Sequence, residues 1–531
     1  MTTFPKGPGH IQKTPPKTIA FIPTLVGDGF IGTHFSETLV ILSSTSQHSV
    51  IRQFALAQER PRSSNMKSEK AVLTKSFILT MNNGSYVVAR LPTSIAGPPR
   101  LTTNSEVSTV TYLQTKTELP IPKILDWKDD ASNPVGAEYI IQEHVKGVQL
   151  PQIWPAMDSL QHMRCTKTLS LAMKKMASLN FPAYGSLYFS DAPIESNLKI
   201  PLDHEFCIGP NCNSVLWNRN PGEPELYGGP SPNCGPWENL TSYCQGLIAT
   251  GFSRLLKKSM THSLPHQGSV EEHVRLIKAS EQVMRMLVED TRVQGAAAPT
   301  LLHPDFQMRN IFVSADDPTI ITGLIDWQST GVEPALIYAN ETPDFAAPPE
   351  EPEEEMPESG QSEQKSPEMR ERERKDALIC YQTYDVYMKG LIPKVRDARR
   401  LDSSLFRVFQ YCHTSWRDSA AALHQELIEL SARWTELGLQ GACPFSPTEE
   451  ELKEHAQNYE DFETVQRLRS WLKSALYTDS DGWASNAQWD AAKDAHRAVY
   501  DQWIETAREL ESDGEGLTVE KADKLWPFDA R

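Results

Sequence analysis

The stretch LLHPDFQMRNIFVSADDPTIITGLIDWQS, residues 301–329, decides the fold of this chain. Residues 310–313 predict one short strand and residues 322–325 predict a second, with a polar turn between them as a hairpin requires. Asp305 therefore lies in a loop before the hairpin, whereas Asp326 lies at its far end.

The order of polar residues in this stretch fits in-line phosphoryl transfer. That reaction needs a carboxylate to orient the attacking hydroxyl, and oxygen ligands to hold Mg²⁺ on the phosphates of a nucleotide. Asp305 fits the first role, and Asn310 and Asp326 fit the second. Each short motif alone would be an ordinary turn beside a strand, so it is their order that favours the catalytic interpretation.

The composition limits the architecture and the partners. A chain of 531 residues is too long for one core, so two or three structural units are expected. The formal net charge of −17 argues against nucleic acid as a main partner, because phosphate backbones need clustered Lys and Arg. No apolar run approaches the roughly 20 residues of a transmembrane helix.

The cysteine pattern favours reduced thiols, with one alternative. Eight Cys are spread along the chain, and no secretory signal precedes them. Reduced thiols are the usual state of cysteines in an intracellular protein. Four of them cluster near His204, but their spacing is not that of a tight zinc ribbon. A structural metal and separately buried thiols therefore both remain open for Cys207, Cys212, Cys234 and Cys244.

The middle of the chain predicts a small strand-rich unit followed by helices. Strands at 76–80 and 86–90 flank a strong Asn83-Gly84 turn signal, a helix follows at 103–116, and a third strand follows at 137–143. That order is typical of a kinase-type nucleotide lobe. Further on, apolar spacing predicts long helices in three segments, 270–290, 405–439 and 448–512.

Several long stretches of the chain resemble one family. They are AGPPRLTTNSEV (96–107), NPVGAEYIIQEHVKG (133–147), FPAYGSLYFSDAPI (181–194), FCIGPNC (206–212), HPDFQMRNIFV (303–313), GLIDWQS (323–329), DGWASN (481–486) and WPFD (526–529). Over about residues 70–531 the chain resembles the aminoglycoside phosphotransferase-like, choline-kinase-like superfamily. Within it, the chain is most similar to the fungal altered inheritance of mitochondria protein 9 family.

The resemblance implies an α+β, two-lobed protein-kinase-like fold with a small β-rich N-lobe and a large helical C-lobe. It also implies Mg²⁺ and ATP or GTP as cofactors, and phosphorylation of a hydroxyl or amine on an unidentified small molecule. The expected parts of the chain are an atypical or disordered segment (1–65), the N-lobe (66–147), the C-lobe with the catalytic loop (148–340), an acidic disordered insertion (341–375) and the helical remainder of the C-lobe (376–531).

The resemblance also assigns roles to single residues. His303 would brace the catalytic loop, and Glu143 lies in the hinge expected to face the adenine. Arg90 stands where such kinases usually carry a Lys, with Glu106 as its expected partner. A second possibility is that Glu106 closes a capping box with Thr103 at the start of its own helix.

Two features keep a non-catalytic interpretation open. The stretch 65–75, where kinases cover the phosphates with a glycine-containing turn, has no glycine. Together with Arg90, this leaves a kinase-like scaffold or regulatory protein as the alternative to an enzyme, although the complete catalytic set favours an enzyme.

The resemblance implies mitochondrial residence, whereas the prolines within 1–65 make a poor presequence and leave a cytoplasmic location as the alternative.

Overall fold

The computed structural model describes most of the 531 residues. It covers residues 39–41, 74–81, 84–93, 96–217, 232–257, 265–349, 366–476, 489–512 and 517–527. Apart from 39–41, the predicted N-terminal segment 1–65 lies outside the described residues, as does most of the glycine-free stretch 65–75.

A five-stranded sheet forms the core of the N-lobe. Its strands are β1 (Leu39–Ile41), β2 (Thr74–Thr80), β3 (Tyr86–Pro92), β4 (Ile124–Lys128) and β5 (Tyr139–Glu143). The order across the sheet is β1-β2-β3-β5-β4, with β1 parallel to β2 and the other pairs antiparallel. The hairpin between β2 and β3 turns at Gly84, whose φ of 79° favours a residue without a side chain.

Three smaller sheets belong to the second lobe. They are built from β6 (Val148–Gln149), β7 (Ser186–Phe189), β8 (Ile200–Pro201), β9 (Phe206–Gly209), β10 (Pro299–Leu301), β11 (Ile311–Val313), β12 (Ile321–Leu324) and β13 (Val332–Pro334). The sheet orders are β12-β11-β6, β10-β13 and β7-β9-β8. The predicted catalytic hairpin is therefore present as β11 and β12, with Ile311 opposite Leu324.

Helices make up most of the remaining structure. They are α1 (Leu101–Lys116), α2 (Leu150–Ile153), α3 (Ser159–Ala177), α4 (Leu240–Ser253), α5 (Val270–Leu287), α6 (Thr291–Gly295), α7 (Pro367–Leu391), α8 (Pro393–Arg400), α9 (Arg407–Tyr411), α10 (Ser415–Asp418), α11 (Ala420–Arg433), α12 (Glu449–Ala475), α13 (Trp489–Ser512) and α14 (Val519–Leu525). Among the helices of the described residues, α1 alone belongs to the small lobe. The predicted α+β fold, with a β-rich N-lobe and a large helical C-lobe, is confirmed.

The long helices form where apolar residues recur at helical spacing. In α5 the buried residues include Leu276, Ile277, Val283, Met284 and Leu287, which lie on one face and join the main C-lobe core. Ser269 caps this helix, because its side chain accepts a hydrogen bond from the backbone N–H of Glu272. No helix within the described ranges is long and apolar enough to span a bilayer.

The region 405–439, where the sequence predicts long helices, contains α9, α10 and α11, of which α11 is the longest. The break before α11 lies at Ser419, whose φ of 106° is incompatible with a continuing α-helix. Its hydroxyl instead donates to the carbonyl of His266 and accepts from the N–H of Ala421, so it caps the new helix.

The predicted disordered insertion 341–375 is too wide at both ends. Phe345 is buried and packs edge-on against Phe306 and Tyr384, with ring centroids 5.8 and 6.3 Å away. At the other end, Ser366 caps α7, which begins at Pro367. The apolar residue before the Pro-Glu run thus packs into a core, and within this insertion residues 350–365 lie outside the described part of the chain.

Candidate active site

His303 fixes the shape of the loop that carries Asp305. Its Nδ1 accepts a hydrogen bond from the backbone N–H of Asp305 at 3.1 Å, and its Nε2 therefore donates to the carbonyl of Ile325 at 2.9 Å. The ring is buried against Trp327 at a centroid distance of 4.4 Å. Burial lowers the pKa of His303 below its ordinary value, so the ring stays neutral and keeps this tautomer.

The Asp305 carboxylate is held by two residues of its own loop. The Asn310 side-chain amide donates to Asp305 Oδ2 at 2.7 Å and to the Asp305 carbonyl at 2.9 Å. Arg309 contacts both carboxylate oxygens, at 2.8 and 2.7 Å. Arg309 is exposed and Asp305 is half-buried, so this ion pair is weak and can exchange with a ligand.

The hairpin brings Asn310 and Asp326 next to each other. The N–H of Ile325 donates to the carbonyl of Asn310 at 3.0 Å, which places Asp326 one residue further along. Asp326 has a φ of 67°, a left-handed conformation that costs free energy for a residue with a side chain. Such strain persists only where surrounding contacts hold it, and it is concentrated at functional sites.

Arg90 on β3 joins the two lobes by binding two carboxylates. Its Nη1 pairs with Glu106 of α1, and its Nη2 lies 2.5 Å from Asp326 Oδ1. Arg90 and Glu106 are buried, whereas the Asp326 side chain is 42% exposed. Burial acts to lower the pKa of Arg90, but the charges of Glu106 and Asp326 outweigh it and raise this pKa above its ordinary value.

The capping-box interpretation of Glu106 is wrong. The helix begins at Leu101, two residues before Thr103, and its cap residue Arg100 makes no side-chain cap. Thr103 is inside the first turn and donates to Glu138 Oε2 at 2.6 Å. Glu106 is therefore free to face Arg90, where burial raises the pKa of its carboxyl and the guanidinium opposes that shift.

Glu143 lies apart from the other predicted site residues. It ends β5 with an exposed side chain, whose carboxylate accepts from the backbone N–H of Lys123 at 3.3 Å. The structure thus brings together Arg90, Glu106, Asp326, Asn310, Asp305 and His303. The hinge role of Glu143 stays a prediction.

A second polar contact between the lobes has no signal in the sequence. The Thr74 hydroxyl, at the start of β2, donates to Gln328 Oε1 at 2.6 Å, and both residues are buried. They are 254 positions apart, so no local pattern could pair them. The contact ties the first described residue of β2 to the segment directly after Asp326.

The clustered cysteines are separate thiols in this structure. Cys207, Cys212, Cys234 and Cys244 are all buried, and none of the four forms a disulfide. Among the described residues, no group of three or more His, Cys, Asp or Glu side chains is placed to hold a metal. The zinc interpretation of these cysteines thus has no support in the geometry.

Comparison with known proteins agrees with this geometry. Residues 253–337, which contain Asp305 and Asp326, match the model of the phosphotransferase enzyme family. A subtelomeric hrmA-associated cluster protein of Aspergillus fumigatus is 32% identical over 295 residues, a match covering 50% of this chain and 57% of the relative.

The mitochondrial relatives give a weaker match. Altered inheritance of mitochondria protein 9 of Kluyveromyces lactis is 24% identical over 272 residues, which cover 46% of this chain and 43% of that protein. The resemblance to this family and to the phosphotransferase superfamily is confirmed. The chain spans about half the length of the curated relatives it matches.

Solved structures of aminoglycoside phosphotransferases also align with the chain. A ternary complex of APH(2'')-IIa with streptomycin and ATP is 13% identical, with a TM-score of 0.36, and the alignment covers 75% of this chain and all of that one. A complex of APH(4)-Ia with ADP and hygromycin B is 14% identical, with a TM-score of 0.34 and coverage of 71% and 98%.

The neutral His303 ring generates a pH prediction. Because burial lowers its pKa in the folded state, the unfolded chain binds more protons at this residue below about pH 6.5. We expect the free energy of unfolding to decrease on acidification through this range. In the His303→Gln variant the free energy of unfolding should decrease less steeply with falling pH. The two slopes should differ by up to about 1.4 kcal/mol per pH unit. Urea unfolding over a pH series measures both slopes, and equal slopes would contradict the burial of a neutral ring.

Proposed function

We propose that this protein is a phosphotransferase that transfers phosphate from Mg²⁺·ATP, or GTP, to a hydroxyl or amine of a small molecule. The observation that carries the proposal is the joint position of Arg90, Glu106 and Asp326, with the Asp305 loop held beside Asp326 by the hairpin. Burying a guanidinium between carboxylates from two lobes costs desolvation free energy. Clusters of this kind are concentrated at functional sites, and binding of a phosphate would account for this one.

Arg90 is suited to meet the phosphates of the nucleotide. A guanidinium carries five N–H donors in a planar fork, and its contacts with Glu106 and Asp326 use only part of that set. Its remaining donors would bind phosphate oxygens. Arg at this position, in place of the usual Lys, therefore keeps the positive charge and offers more hydrogen-bond donors.

Asn310 and Asp326 are the residues that would hold Mg²⁺. The Asn310 side chain uses its amide nitrogen on Asp305, which leaves its Oδ1 for a cation. Asp326 has a half-exposed carboxylate with one oxygen on Arg90. Two oxygen ligands fit a cation that takes its remaining ligands from phosphates and water. When bound, Mg²⁺ would neutralise the phosphate charge that develops during transfer.

Asp305 would orient the acceptor. Its carboxylate is fixed by Asn310 while remaining partly open to solvent, so an acceptor hydroxyl can donate its proton to Oδ1 or Oδ2. Arg309 has to release at least one of these oxygens, and its exposed side chain can do so at little cost. His303 contributes by holding the loop, since its ring bonds to the backbone on both sides.

The alternative is a kinase-like scaffold without turnover. It is favoured by the Arg309 side chain, which contacts both oxygens of the proposed base, and by the glycine-free stretch 65–75. A scaffold, however, has no physical need for a strained aspartate with φ of 67° beside a second metal-ligating residue. Binding followed by turnover separates the two possibilities.

The function is tested with two variants of the site. Asp326→Ala should abolish most of the Mg²⁺-dependent affinity for ATP, because the main metal ligand is gone. Asp305→Asn should bind Mg²⁺·ATP as the wild type does but turn over roughly 10²-fold more slowly, with slow ATP hydrolysis as the assay until an acceptor is found. Calorimetry and phosphate release measure the two effects. Asp316→Asn, an exposed acid in the same hairpin turn, is the matched control.

Two results would count against the enzyme. Equal ATP affinity in the wild type and Asp326→Ala would rule out the metal role of Asp326. Binding without any hydrolysis or transfer, across a panel of amino and hydroxyl acceptors, would favour the scaffold.

We also propose that the protein resides in mitochondria. The support is the name of its altered inheritance of mitochondria protein 9 relatives, which the chain matches over only part of their length. A C-terminal fluorescent fusion of the full chain should overlap a mitochondrial dye. A diffuse cytosolic signal would show that the address of the relatives does not extend to this chain.

A further inference from the structure

Helix α1, which carries Glu106, is surrounded on all sides. The nine consecutive residues from Thr102 to Val110 are all buried, although many of them are polar. Successive helical residues point 100° apart, so a run of this length covers the whole circumference. A helix buried in this way is held by specific contacts in every direction, and a single apolar stripe does not account for its position.

One side of α1 faces the sheet β7-β9-β8, here called the bracing sheet (Ser186–Phe189, Ile200–Pro201 and Phe206–Gly209). The Ser108 hydroxyl donates to the carbonyl of Leu187 at 2.8 Å. One turn earlier, Asn104 Oδ1 accepts from the N–H of Phe189 at 3.4 Å. Leu187 and Phe189 lie 79 and 85 positions after their partners Ser108 and Asn104.

The same side of the helix continues to touch this region to its last turn. Tyr112 packs edge-on against Phe206 at 5.2 Å between ring centroids, and Lys116 forms an ion pair with Asp203 at 3.4 Å. The contacting residues are four apart along the helix: Asn104, Ser108, Tyr112 and Lys116. They form one stripe. Glu106 is two residues from the first two of them, about 160° around the helix from each, and therefore faces away from the stripe.

The bracing sheet is attached at its other end to the chain after Asp326. The Ser186 hydroxyl donates to the carbonyl of Thr330 at 3.1 Å. Gly185 exchanges backbone hydrogen bonds with Val332, at 3.0 and 2.7 Å. A side chain at Gly185 would meet the carbonyl of Gly209 at 2.3 Å, so only glycine permits this close approach.

We infer that the bracing sheet is a positioning element for the nucleotide site, with Ser108 and Asn104 as positioning residues. The bracing sheet binds both the helix that carries Glu106 and the segment that follows Asp326. Glu106 and Asp326 supply the two carboxylates that pair with Arg90. These contacts hold the Arg90 cluster together in the absence of a nucleotide. This inference rests on the proposed function only in taking Mg²⁺·ATP as the ligand of that cluster.

The test is Ser108→Ala, which removes the hydroxyl on Leu187 while alanine favours the helix itself. We expect the Kd of Mg²⁺·ATP to rise about 3–10-fold, as for one lost buried hydrogen bond. Thr111→Ala is the matched control, because the Thr111 hydroxyl bonds only to Val107 within the same helix. The control should bind Mg²⁺·ATP as the wild type does.

A double-mutant cycle separates positioning from general loss of stability. In a Glu106→Gln background, Ser108→Ala should weaken binding no further, because the sheet acts through the Arg90–Glu106 pair. Additive losses of affinity would overturn the inference, as would equal Kd values for the wild type and Ser108→Ala.

Hydrogen exchange without nucleotide tests the inference even if no nucleotide binds. Amides of α1 should exchange faster in Ser108→Ala than in the wild type, whereas those of α5 should not change. Absence of nucleotide binding by the wild type would refute the proposed function alone. Unchanged exchange in α1 would refute the bracing role alone.

Discussion

A buried guanidinium needs its carboxylates, and that requirement at Arg90 organises the rest of the site. Leaving a buried charge without a partner costs about 3–5 kcal/mol, so β3, α1 and the end of the hairpin have to meet at one point. Asp326 reaches this point only in a left-handed conformation, and His303 holds the preceding residue through the carbonyl of Ile325. The strain at Asp326 is thus maintained by contacts on both sides of the lobe boundary.

The surroundings of α1 follow from the same requirement. Because Arg90 is fixed on β3, the helix that carries Glu106 has to be held within hydrogen-bond distance of it. This helix is polar, so burial of an apolar face contributes little to holding it there. Ser108, Asn104 and the bracing sheet supply that hold by hydrogen bonds. The Thr74–Gln328 contact adds a second tie between the lobes, close to Asp326. Both features concentrate stabilising contacts around the proposed nucleotide site.

Much of this could be predicted from the sequence, and the failures have physical causes. The hairpin of β11 and β12 was predictable because apolar runs flank a polar turn, and the N-lobe strands because they alternate around Asn83-Gly84. Strand β4 has no fully buried residue, and the strands of the bracing sheet are two to four residues long, so neither leaves a clear pattern. The capping box failed because the Thr-x-x-Glu pattern begins inside the first turn, where tertiary contacts decide the partner.

The most direct test of the central role of Arg90 is a double-mutant cycle with Arg90→Met, Glu106→Leu and the double variant, in which calorimetry measures the Tm of each protein. Arg90→Met alone buries the Glu106 carboxylate without a cation, whereas the double variant removes both buried charges and leaves Asp326, which is half-exposed, to water. The double variant should therefore melt above Arg90→Met. Two decreases in Tm that simply add would contradict a buried ion pair at the centre of this fold.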